Sequence, residues 1–220
     1  MSRSVDPSTR RFLKAMAAGA AALAAGCATR DPSKPPEEGF EYVAVARPFP
    51  NVSAGRTEIT EFFWYGCPFC NAFDPELEAW LSRQQPDVAL RKVHPAMNPA
   101  WREHQRIFYT LEVLGKLDEM NARVFQALHE RQMLLDTRGR IADWAAGEGL
   151  DRKLFLDTMD SPEVGARCER ATELAKAIKL ESVPSLVVNG KWITSTTMAG
   201  TREGTLRVLD YLVARERRGG

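Results

Sequence analysis

Cys67-Pro68-Phe69-Cys70 carries the most specific chemistry in this 220-residue chain. A C-x-x-C opening a helix sets its first sulfur over the unpaired amides of the first turn, where partial positive charge favours thiolate over thiol. The thiolate is the attacking form of cysteine, which makes Cys67 the candidate nucleophile. Cys70, one turn on, can close a disulfide with Cys67 yet sits deeper, as suits a resolving partner. Pro68 fits the first helical position, which needs no amide donor. A structural zinc site would need a second Cys or His pair at similar spacing, and His94, His104 and His129 stand apart in the sequence, so no metal is expected. A static bridge is the other alternative, but so short a loop constrains the unfolded chain little. Redox exchange is the better reading.

Elements of suitable type flank the pair. Thr57 to Tyr65 is rich in β-branched and aromatic residues on both alternating faces, the pattern of a strand buried on both sides. Glu61 is a charge inside that strand, so it must be paired, partly solvated or raised in pKa. After Cys70, Phe73, Leu77, Trp80 and Leu81 recur at helical spacing from Asn71 to Arg83, with Pro75 expected to kink or restart the helix and Asp74 to cap it. Asp87 to Val93 reads as a second strand.

From about 98 to 180 the apolar period is helical, broken at Gly115, Thr137-Arg138-Gly139, Gly147-Glu148-Gly149 and Ser161-Pro162. Within it Cys168 keeps register with Val164, Ala171 and Ala175, which predicts a buried, inert thiol. Strand signals return at Pro184 to Val188 and Lys191 to Thr194, joined by Asn189-Gly190, a strong hairpin-turn pair, and an amphipathic helix around Leu206, Leu209, Leu212 and Val213 closes the chain. The fold class is therefore α/β with a helical insertion.

The N-terminus decides the compartment. Residues 1–27 run from a basic segment through an Ala/Gly-rich stretch to Cys27, a signal-peptide pattern. The apolar run from Ala15 to Gly26 falls short of the roughly 20 residues that span a bilayer. Leu23-Ala24-Ala25-Gly26-Cys27 resembles a lipobox, with Cys27 as the lipidation candidate and unlipidated cleavage as the alternative. Arg10-Arg11 resembles a twin-arginine export signal, and the export route stays open. Residues 28–39 are Pro-rich and polar, an extended tether, and residues 40–220 form the globular part. Thirty Lys and Arg against 29 Asp and Glu leave a net charge of +1, which offers no general attraction for nucleic acid.

Three separated segments carry a family resemblance. Glu61 to Cys70, Trp101 to Gly115 and Val183 to Gly190 together resemble the DsbA family of thiol:disulfide oxidoreductases, and the likeness runs from about Phe40 to the C-terminus. It implies a thioredoxin fold with an inserted all-helical domain and no cofactor. It further implies a cis Val183-Pro184 bond beside the disulfide, with the Val183 backbone pairing a substrate strand, and a proton-relaying acid at Glu61. The function implied is an exported monomer that introduces disulfides into reduced or unfolded exported proteins and is reoxidised by a membrane partner of DsbB type. That localises it to the periplasm, with a membrane anchor if Cys27 is lipidated. Near-zero net charge matches client recognition through an apolar groove and backbone pairing. One position departs from the family: oxidising members usually carry His where Phe69 stands, and Phe neither donates a hydrogen bond nor carries charge, so a weaker oxidant with a higher Cys67 pKa is expected. A reductase or isomerase, and a tethered peptide-binding module with a vestigial C-x-x-C, are the competing functions. Residues 28–39 are too few for the dimerisation domain of the related isomerases.

Overall fold

The computed structural model describes residues 34–219. The signal segment with Cys27, and the first part of the tether, lie outside the described residues. The remainder of the tether is folded: Pro36 is buried, and a turn from Glu37 to Tyr42 is closed by a bond from the Gly39 N–H to the Tyr42 carbonyl (2.8 Å). The globular part thus begins near Pro35, earlier than the composition shift at Phe40 suggests.

Strand β1 (Val43–Ala44) is followed by β2 (Thr57–Phe62), helix α1 (Pro68–Leu81) and β3 (Val88–Val93). After a short 3-10 turn come α2 (Arg102–Val113), α3 (Leu117–His129), α4 (Arg138–Gly147), α5 (Arg152–Met159) and α6 (Pro162–Ala177). Then follow β4 (Ser185–Val188), β5 (Trp192–Ser195), α7 (Thr196–Ala199) and α8 (Arg202–Gly219). The strands form one sheet in the order β1-β5-β4-β2-β3, parallel between β2 and β3 and antiparallel elsewhere. A strand-helix-strand unit and a hairpin-helix unit meet at β2–β4, with the helices α2 to α6 inserted between them in sequence. Among the described residues no helix is long and apolar enough to cross a membrane.

All six residues of β2 are buried, as its two-faced apolar pattern requires. On one side of the sheet Ile59, Leu186 and Val188 pack with Phe73, Leu77 and Trp80 of α1 and Val208, Leu209 and Leu212 of α8. Trp80 Nε1 also donates to Asp210 (2.8 Å), which fixes α1 against α8. On the other side Phe62, Val93 and Val187 join the core of the inserted helices, including Phe108, Val124, Phe125 and Phe155. The Ser161-Pro162 break is a helix start, with the Ser161 hydroxyl accepting from the Val164 N–H and Pro162 at the first position. Asn189 and Gly190 have φ of 48° and 66°, the left-handed pair of a two-residue hairpin turn, and a side chain on Gly190 would collide with the Phe49 carbonyl.

Two expectations for α1 need correction. The helix runs unbroken through Pro75, which forgoes one backbone bond, and Asp74 caps nothing: its carboxylate is buried and faces Lys92 and Asn121.

Candidate active site

Strand β2 delivers the chain into Phe63-Trp64-Tyr65-Gly66, and Cys67 then caps α1 with an extended backbone (φ −85°, ψ 117°). Gly66 is required by close approach, since a Cβ there would lie 2.3 Å from the Trp64 ring. Pro68 occupies the first helical position. Cys67 Sγ accepts the Cys70 N–H (3.4 Å), so the helix start itself solvates the sulfur. Both cysteines are held as free thiols, Cys67 6% exposed and Cys70 fully buried.

Their environments drive the two thiols apart. Cys67 is pulled down to about 6, chiefly by a hydrogen bond from the Cys70 thiol; burial opposes this, while the N–H groups of Cys70 and Phe69 and the charge of His129 reinforce it. Cys70 is pushed far up, first by burial and then by sharing its proton with Cys67. One sulfur is poised to ionise at neutral pH and the other to stay protonated. Phe69, which is 68% exposed, offers the Cys67 sulfur only its backbone N–H.

Across from the pair, the Val183–Pro184 bond is cis, Pro184 is buried, and the Val183 carbonyl accepts a hydrogen bond from the Cys67 thiol (3.6 Å). A cleft of about 720 Å³ opens beside Phe69 and Val183. Its other walls include Thr196, Thr201, and Arg202 paired with Glu76 (2.7 Å), so polar groups flank the apolar Phe69 and Val183.

Glu61 is fully buried in the central strand. Register sets it beside Lys92 of β3, with the ammonium 3.6 Å from its carboxylate and also on Asp74 and Glu78 (2.9 Å). Asn121 of α3 ties this group to the redox loop, donating to both Asp74 oxygens (3.2 Å) and accepting from the Tyr65 hydroxyl (3.0 Å). Burial raises Glu61 to about 7 although Lys92 pulls the other way. Its charge in turn contributes to the raised Cys70. Sequence reasoning missed Lys92, Asp74 and Asn121 as members of this group; the basic pair Arg91 and Lys92 in one strand beside Glu58 and Glu61 in its neighbour was the available signal.

Because the folded pKa of Glu61 lies above its ordinary 4.5, the stability it supplies is complete below that value and is lost as pH rises through about 7. Glu61→Gln removes the ionisation and keeps the shape. It should exceed the parent by about 3 kcal/mol in urea unfolding at about pH 8, with the gap closing below about pH 4.5. A gap independent of pH would contradict this.

The three histidines, isolated in sequence, converge on Trp64-Tyr65. Trp64 Nε1 donates to His104 Nδ1 (2.9 Å), and the Trp64 ring stacks on Trp101 at 4.7 Å. The Tyr65 N–H donates to His94 Nε2 (3.3 Å), while His129 Nε2 lies 2.7 Å from the Tyr65 carbonyl. Burial holds His94 down to about 3 and His104 down to about 4, so both are neutral supports. No set of residues arranged for a metal occurs among the described residues. Cys168 is half-buried rather than fully buried, and burial raises its thiol to about 11, which leaves it unreactive.

The DSBA-like thioredoxin domain model matches residues 94–206. Thiol:disulfide interchange protein DsbA of Pseudomonas aeruginosa is 37% identical over 179 residues, covering 81% of this chain and 85% of that protein. The DsbA of Azotobacter vinelandii is 36% identical over 209 residues, 94% of this chain and 97% of its own length. This chain belongs to the DsbA family. Its fold agrees with solved DsbA structures: that of Pseudomonas aeruginosa superposes with a TM-score of 0.77 at 38% identity, covering 83% of this chain and 95% of that one. The Xylella fastidiosa oxidoreductase DsbA gives 0.79 at 32% identity, covering 84% and 100%. The DsbA-like thioredoxin fold with its inserted helices is thus the architecture expected from sequence, and the chain is a thiol:disulfide oxidoreductase.

Proposed function

We propose that this DsbA-family oxidoreductase oxidises exported client proteins at Cys67, with Cys70 as the resolving thiol and Glu61 as its proton partner. The supporting observation is the opposed state of the two sulfurs, Cys67 lowered to about 6 and Cys70 raised by burial. In the oxidised enzyme a client thiolate attacks Cys67 Sγ and the Cys67–Cys70 bond breaks. Cys70 leaves and takes a proton, for which Glu61, itself near 7, is the buried acid at hand. A second client thiolate then attacks the client sulfur of the mixed disulfide. Cys67 departs as a thiolate, and its low pKa makes it a good leaving group. Two electrons pass from two client thiols to the enzyme, which ends as Cys67 thiolate and Cys70 thiol.

The client strand lies along the Val183 backbone, beside cis-Pro184, with its flanking residues in the cleft next to Phe69. The N-terminal pattern to Cys27 supports a periplasmic enzyme, held to the membrane if Cys27 is lipidated, whose dithiol returns to disulfide through a DsbB-type membrane partner. Incubated with a reduced, unfolded protein, the oxidised enzyme should gain two thiols for each client disulfide formed. Client oxidation without enzyme reduction would refute the scheme. Mass spectrometry of the mature N-terminus tests lipidation of Cys27.

Phe69 sets the strength of the oxidant. An imidazole in its place adds a donor and a charge beside the Cys67 thiolate, so Phe69→His should shift the equilibrium with glutathione about tenfold toward reduced enzyme. An unchanged equilibrium would show that the residue does not tune the pair.

A further inference from the structure

We propose that His129 is a positioning residue for the reaction at Cys67, holding the Tyr65 carbonyl that leads into the redox turn and countering the charge of the Cys67 thiolate from the helical block. The proposal rests on Cys67 being the ionising sulfur. His129 ends α3, where a basic side chain also complements the helix dipole. Its Nε2–H donates to the Tyr65 carbonyl (2.7 Å), two residues before Cys67, whose own N–H is tied back to the Trp64 carbonyl (3.0 Å). The other face of the same peptide segment is held by His94, so Tyr65 is gripped at both backbone groups.

The two grips differ in kind. His94 is fully buried with Nδ1 on the Pro95 carbonyl (3.2 Å), a neutral ring that can only orient. His129 is half-buried, its ring packed near Phe125, and its charge is among the influences that lower Cys67. The titratable groups facing it are Cys67 at the start of α1 and His104 on α2, with Asp136 facing His104 in turn. Next along the chain, Glu130 is exposed and Arg131 is engaged by Glu148 (2.6 Å). With Phe69 supplying no side-chain donor, His129 is an imidazole that acts toward the thiolate from outside the C-x-x-C.

The test follows thiolate absorbance of the reduced protein against pH, together with the glutathione equilibrium. His129→Gln keeps a donor for Tyr65 and removes the imidazole; His129→Leu removes both. Both variants should raise the Cys67 midpoint and move the equilibrium about three- to tenfold toward the disulfide, His129→Leu further. A midpoint and equilibrium unmoved in both variants would overturn the role. Should neither variant fold, the wild-type ring nitrogen shifts of His129 decide: a step at the pH of Cys67 ionisation is expected, and no step overturns the proposal. Cys67→Ser separates the two ideas. If the low-pH absorbance persists in that variant, the assignment of Cys67 fails; if it vanishes there yet ignores His129, only the role of His129 fails.

Discussion

Cys67→Ser should abolish oxidation of reduced proteins, leaving only the spontaneous rate, while Cys70→Ser should stop turnover at a different point. The serine hydroxyl cannot form the enzyme disulfide or the mixed disulfide, so the first variant has no route for electrons. In Cys70→Ser the Cys67 thiolate loses the donor that lowers it most, the Cys70 thiol, so its midpoint rises, but the amides of the α1 start still stabilise it. That variant should form a mixed disulfide with an activated client disulfide and hold it, since no buried thiol remains to resolve it. Non-reducing gels would show the adduct in Cys70→Ser and none in Cys67→Ser. The opposite pattern would exchange the two roles.

Lys92→Met should lower stability by about 3–5 kcal/mol at neutral pH, the usual penalty for removing one member of a buried charge group. Burial alone would push the Lys92 ammonium down, but Glu61, Asp74 and Glu78 together hold it above its ordinary value. The stability it supplies is therefore fully present at neutral pH and is lost only as pH rises through its raised folded pKa. Without Lys92, the buried Glu61 and Asp74 carboxylates lose their cation. Adding Asp74→Asn to Lys92→Met should recover part of the loss in urea unfolding. Recovery of nothing, or a single-variant loss under about 1 kcal/mol, would mean that the group is better solvated than its burial implies.

Much of this architecture is legible in the sequence because its signals are local. The two-faced apolar pattern of Thr57 to Tyr65, the C-x-x-C with Pro68, and Asn189-Gly190 each specify their own conformation and are found in place, except that the strand ends at Phe62, three residues before its pattern does. The two-residue β1 carries no periodicity of its own and exists only through its pairing with β5. Asp74 misled for a related reason: a carboxylate before Pro75 has the local form of a helix cap, whereas α1 continues and the side chain answers to Lys92 on a strand 18 residues away. The convergence of His94, His104 and His129 on Trp64-Tyr65 is likewise tertiary, since each histidine arrives from a different element. Cys67, Cys70 and the helix-start amides could be named from spacing, and Glu61 from its place in an apolar strand; Lys92, Asn121 and His129 could not.

The most direct test of the account is a pH titration of thiolate absorbance in the reduced wild-type protein, repeated in Cys67→Ser and Cys70→Ser. One thiolate should ionise with a midpoint near 6 in the wild type, ionise at a higher midpoint in Cys70→Ser and disappear in Cys67→Ser, with Cys70 silent through neutral pH. A first ionisation near the ordinary thiol value of 9, or a low-pH thiolate that belongs to Cys70, would contradict it.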